Sequence, residues 1–290
     1  MLLSPSVGSS LYVHSGLGAS GSFDGVNPKY PLATLDEAIA ATSSSANGVA
    51  NQIIVLPGHA ETLAASGSLF TLDKSGVDVI GMGRGSLMPT FTLTHATATC
   101  TVSAADNLIK GLKIISDIAD CAVGLTASAT ADGLELANCY LTDGAVAKEL
   151  VIGLQIAAAC SDVHVHDNRF HTVPAGGCAS AIKLVGESAR SRFVKNVSIG
   201  DYSVANIDGA TALATDLLIA QNVLSNVDST AGLCITLHAS TTGIGYANES
   251  GGGKGNTHPN IGAAFNWLGS KGSDAVNANS ISSPADCAFS

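Results

Sequence analysis

The sequence predicts an all-β fold, a parallel β-helix opened by a short capping helix, and three observations predict it. A strand–bend–strand skeleton recurs along the chain at a nearly constant period. A second strand series repeats in step with the first. The segments between Gly, Asn and Asp are short and alternate apolar with polar residues, where helical repeats need long stretches at 3.6-residue spacing.

The unit is clearest at 161–170, SDVHVHDNRF. Val163 and Val165 alternate on one side of a strand, a bend follows, and Asn168 and Phe170 continue inward round the corner. Aligned on the second inward residue, the series runs Val79, Ile109, Leu136, Val165, Val194, Ile219, with spacings of 30, 27, 29, 29 and 25 residues. Five positions on come Ile114, Leu141, Phe170, Ile199 and Leu224, and the slot between reads Leu112, Cys139, Asn168, Val197 and Asn222. The independent series is Leu125, Leu154, Ile182, Ile207 and Ile235. Two strand series in one period near 28 residues leave room for two or three short strands per coil at ~3.3 Å per residue. Such units bury their apolar faces by stacking on one another.

In chain order, residues 1–30 are rich in Gly, Ser and Asn and read as an extended arm. Residues 31–240 hold the capping helix and the coils, and 241–290 a Gly-rich loop and tail. Thr34 and Glu37 form a capping box, with Leu35, Ala38, Ile39 and Thr42 on one helical face, suited to covering the open end of the first coil. The apolar run at 51–56 is the first strong strand, stopped by Pro57-Gly58. Gly81-Met-Gly-Arg-Gly85 superficially suggests a dinucleotide loop, but Pro89 and alternating Thr-Phe-Thr-Leu follow where a helix would begin.

Of 290 residues 46% are hydrophobic and 12% charged, enough to bury a large core. The net charge is −10, and the 13 Lys and Arg are scattered along the sequence, which argues against nucleic acid and anionic membranes as partners. No run of 18 apolar residues occurs, and the start, Met-Leu-Leu-Ser-Pro, lacks the basic and apolar regions of a signal peptide. The seven cysteines form no CxxC pair and read as reduced core residues of a chain made in a reducing compartment. Aromatic residues, at 4%, are sparse for a sugar-lined groove.

Chemistry has few places to sit. His164 and His166 project from one strand face with Asp167 and His171 nearby, a spacing that can hold a divalent metal but reads first as the polar outer face that every rung carries, so no metal is expected. Asp162, Asp167, Asp201, Asp208, Asp216 and Asp228 are the candidate carboxylates. Asp162 and Asp216 fall at one point of coils two apart, with Arg192 between them. At ~4.8 Å per coil they stand ~9–10 Å apart, an inverting-glycosidase spacing that equally describes a salt-bridged ladder. No Gly-x-Ser-x-Gly elbow or Cys–His pair is present.

The lead-in 15–25, Tyr30-Pro-Leu-Ala-Thr34-Leu-Asp-Glu-Ala-Ile39, and the stretch from Ile53 through Pro57-Gly58-His59 to Thr62 resemble the start of right-handed, pectin-lyase-like β-helix proteins. Gly76 to Gly85 with Pro89-Thr-Phe91 resembles the version found in tailed bacteriophages. The motifs cover roughly residues 10–115. The resemblance implies a capsid decoration (cement) protein, a homotrimer on the outer surface of a phage head, made in the host cytoplasm. Its partners are then the major capsid protein and itself, through Leu2, Leu3, Tyr12, Phe23, Phe265 and Trp267. It implies no cofactor and no catalysis. The alternative is a tail spike or fibre that binds or cleaves host surface glycans, with Asp162, Asp216 and Arg192 as its site.

Overall fold

The structure is a computed structural model that describes residues 9–44, 51–174, 176–228, 233–252, 265–268 and 271–272, those beyond 250 by backbone alone. It is a parallel β-helix. Each coil passes through three sheets of ten, nine and seven strands, and every pairing between coils is parallel. One coil shows the path: Glu135–Ala137 in the first sheet, Tyr140–Asp143 in the second, Leu150–Ile156 in the third, then His164–His166 back in the first. Inside lies one apolar column, with Val79, Ile109, Leu136 and Val165 stacked in register along the first sheet and Leu125, Leu154, Ile182, Ile207 and Ile235 along the third.

The helix Leu35–Ala41 forms because the capping box closes its start. Thr34 Oγ1 accepts the Glu37 N–H at 3.2 Å, and Glu37 Oε2 accepts the Thr34 N–H at 3.3 Å. Glu61 Oε1 accepts the Leu35 N–H at 2.6 Å and bonds Nε2 of the buried His59 at 2.7 Å. An inward carboxylate is therefore satisfied twice, once by the helix start. Leu35, Ala38 and Ile39 are buried against strands Ser10–Val13 and Gly67–Leu72, which end the first and third sheets, so the helix closes that end of the coil.

The corner between the first and second sheets is one motif repeated. Its outer residue takes a left-handed backbone at Gly111, Asn138, Asp167, Lys195, Gln221 and Ala247, with φ from 51° to 73°. The next residue turns inward, and from the third of these coils onward it is Asn: 168, 196, 222 and 248. Each Asn Oδ1 accepts the backbone N–H of the inward residue one coil earlier, at 2.8–3.1 Å. Each Nδ2 donates to the carbonyl of Leu136, Val165, Phe193 or Ile219, at 2.7–2.8 Å. These amides supply the hydrogen bonds that the corner geometry takes from the backbone.

One coil is shifted by a residue from the sequence expectation. Val165 pairs with Phe193, and Phe170 with Ser198. Phe193, Asn196 and Ser198 face inward, while Val194, Val197 and Ile199 face out. The sequence misleads because Val194, Val197 and Ile199 reproduce the apolar spacing of the skeleton. The amide ladder decides the register, since only Asn196 can continue it. Buried Tyr202 packs beside Ser198, its hydroxyl 3.2 Å from Ser198 Oγ.

The strands run further in both directions than the expected boundaries of 31 and 240. Ser10–Val13 pairs with Asn51–Val55, so this part of the expected arm belongs to the first coil. Beyond Ser240, Gly243–Tyr246 and Glu249–Gly252 continue the sheets, and Phe265–Leu268 and Lys271–Gly272 add to them. Six cysteines, 100, 121, 139, 160, 178 and 234, are buried, and burial pushes the Cys139 and Cys160 thiols up to about 12. Cys287 lies outside the described residues.

Candidate functional site

On the outer face of the first sheet, Glu135, His164, Arg192 and Leu218 follow one another as a row of paired residues. Beside it runs a second row of Lys110, Ala137, His166, Val194 and Ala220. The strand alternation that turns Val165 inward puts His164 and His166 outward together, their ring centres 4.3 Å apart. His166 has a carboxylate at each nitrogen: Asp167 Oδ2 lies 2.8 Å from Nδ1 and Glu135 Oε1 3.0 Å from Nε2. Partial burial opposes a charge on His166, but the bonds to Asp167 and Glu135 prevail and hold its pKa above the ordinary imidazole value. His164 is pushed below that value, by burial first and then by the positive neighbours His166 and Arg192. The sequence pointed to this pair. It missed Glu135, which lies about one period upstream and reaches the site only through strand pairing.

The expected carboxylate pair resolves differently. Asp162, Arg190 and Asp216 occupy one stacked turn position, all left-handed, so Arg190 and not Arg192 stands between the aspartates. Arg190 clamps Asp162 with two bonds, Nε to Oδ1 at 2.8 Å and Nη2 to Oδ2 at 2.5 Å, and holds that carboxyl below its usual range. This is the salt-bridged ladder, with Arg192 on the strand face beside His164. Of the expected contact residues, Tyr12 lies in a strand and Phe23 packs edge-on to Tyr30 at 5.3 Å. Leu2 and Leu3 lie outside the described residues, as do the side chains of Phe265 and Trp267.

Coiling also gathers charge that the sequence disperses. Lys110, Lys113, Arg169, Arg192 and Lys195 all lie on or beside the corner between the first and second sheets. Among the described residues, none of the five is in an ion pair; Lys74, Lys148, Lys183 and Arg190 are. On the second sheet Lys113, Tyr140, Arg169, Val197 and Val223 form one row. Tyr140 sits between its two cations, with Lys113 Nζ 5.6 Å and Arg169 Cζ 5.3 Å from the ring centre. Ile199 and Val223, each 38% exposed, extend this face as an apolar strip. By contrast, the small cavity lined by Asp143, Phe170, Cys178, Ser180 and Tyr202 has room for roughly one water molecule, too little for an organic ligand.

No protein-family profile and no curated protein matches the chain. Solved structures similar to it include a GH136 lacto-N-biosidase from Eubacterium ramulus, at 10% identity and a TM-score of 0.40, covering 91% of this chain and 67% of that one. Another is a rhamnogalacturonan lyase, at 12% identity and 0.41, covering 93% and 90%. A third is pectate lyase Pel9A, at 12% and 0.42, covering 96% and 83%. The likeness is one of coil architecture. The expectation of a non-enzyme is withdrawn, because the proteins of this likeness are a biosidase and two lyases, and the likeness itself reaches no further than the coil architecture.

Proposed function

We propose that this β-helix binds an acidic glycan along the corner between its first and second sheets. The observation that carries the reading is the row Lys113, Tyr140, Arg169, Val197, Val223, flanked by Lys110, Lys195 and Arg192. It combines cations free of carboxylate partners with an aromatic edge and a shallow apolar strip. Carboxylate or sulfate groups suit the cations, and the apolar faces of sugar rings suit the valines. The row spans ~19 Å, four coil steps of ~4.8 Å, about one sugar unit per step, so a linear polymer along the axis meets a similar surface at each rung. The chain carries a net charge of −10, so a cationic strip held free of ion pairs favours a local anionic ligand over a general affinity for polyanions. The head-attachment reading rests on end residues that mostly lie outside the described part, and no feature of this face argues for it.

The reading is tested by titrating the full chain with polygalacturonate, alginate and neutral oligosaccharides of matched length, with a nucleic acid of similar charge as a further ligand. Acidic oligosaccharides are expected to bind, and Tyr140→Ala to weaken them about tenfold. Equal affinity for the neutral series, or tighter binding of the nucleic acid, would overturn the proposal. The same mixtures, followed by mass spectrometry, report any cleavage.

A further inference from the structure

The geometry points to a divalent transition-metal site made by Glu135, His164 and His166, independent of whether a glycan binds next to it. One carboxylate oxygen and one nitrogen from each imidazole lie within 4.8 Å of one another. Two bonds of ~2.1 Å reach across ~4 Å at most, so the group must tighten slightly around an ion. Glu135 can supply that movement, because its side chain is 46% exposed and the residue next to His166 in its row is only an alanine, Ala137. The two histidines are already stacked on adjacent outward positions of one strand, so little backbone change is needed.

Asp167 completes the argument. Its Oδ2 engages His166 Nδ1 at 2.8 Å, which leaves Nε2 aimed at Glu135 Oε1 3.0 Å away. A carboxylate on the far nitrogen is the arrangement that orients metal-binding imidazoles. Asp167 itself is held in place by the left-handed corner that the amide ladder enforces. Two imidazoles and one carboxylate select a borderline ion such as Zn²⁺, Ni²⁺ or Co²⁺ over Ca²⁺ or Mg²⁺. The remaining coordination positions face solvent and are open to water or to an oxygen ligand.

The test is calorimetry on the untagged full chain with Zn²⁺ and Ni²⁺ separately. One ion per chain is expected, with His164→Ala, His166→Ala and Glu135→Gln each weakening it at least tenfold, and Asp167→Asn about tenfold. Circular dichroism and metal-free melting confirm that the variants stay folded. A second readout needs no variant: Co²⁺ added to the native chain should give visible bands of imidazole-ligated, low-coordinate cobalt. No saturable binding, Ca²⁺ binding as tight as Zn²⁺, or unchanged affinity in the His164/His166 double alanine variant would overturn the site.

Discussion

Asn196 bonds in both directions along the axis. Its Oδ1 accepts the Asn168 N–H and lies 3.1 Å from Asn168 Nδ2, its own N–H reaches Asn222 Oδ1, and its Nδ2 donates to the Val165 carbonyl. Replacing it by Ala takes the side-chain acceptor from the buried Asn168 N–H and one hydrogen bond each from the Val165 carbonyl and the Asn168 and Asn222 amides, and a buried group left unsatisfied costs roughly 1–3 kcal/mol. Asn196→Ala should therefore lower unfolding free energy by about 3 kcal/mol in urea titrations, and a loss below ~1 kcal/mol would mean that the ladder is ornamental. From sequence alone the inward slot showed Asn at 168 and 222, but its role as a continuous hydrogen-bonded column did not show, because consecutive members lie 26–28 residues apart and meet only after coiling. The same limit hid Glu135 from the histidine pair and put Arg192 where Arg190 stands.

At the scale of a strand, alternation converts a one-residue shift into an exchange of faces. The coil spacing and the third-sheet series were legible because five rungs repeat the same apolar positions. The stretch 191–200 was not, because the outward Val194, Val197 and Ile199 fit the apolar pattern better than the inward Phe193, Asn196 and Ser198. The structure separates them sharply. Phe193 is fully buried, so Phe193→Ala should cost about 3–5 kcal/mol. Val194 faces outward beside His166, so Val194→Ser should stay within ~0.5 kcal/mol. Reversed effects in thermal or denaturant unfolding would restore the sequence register. The helix was readable almost residue by residue, because its capping box is a local signal that needs no partner strand.

For the whole molecule, coiling makes a surface that no linear segment contains. Lysines and arginines spread from residue 110 to residue 195 align on one corner of an acidic chain, while the paired cations lie elsewhere. Charge composition argued against polyanion partners because it averages over the chain; the fold concentrates five cations where the sequence shows scatter. The central claim is that this corner binds acidic glycan through those cations, and the most direct measurement is the affinity of Lys113→Ala/Arg169→Ala for an acidic oligosaccharide, compared with the native chain at low and high salt. The account predicts a loss of at least tenfold at low salt and a weaker salt dependence in the variant. Native affinity and native salt dependence in the folded double variant would contradict it.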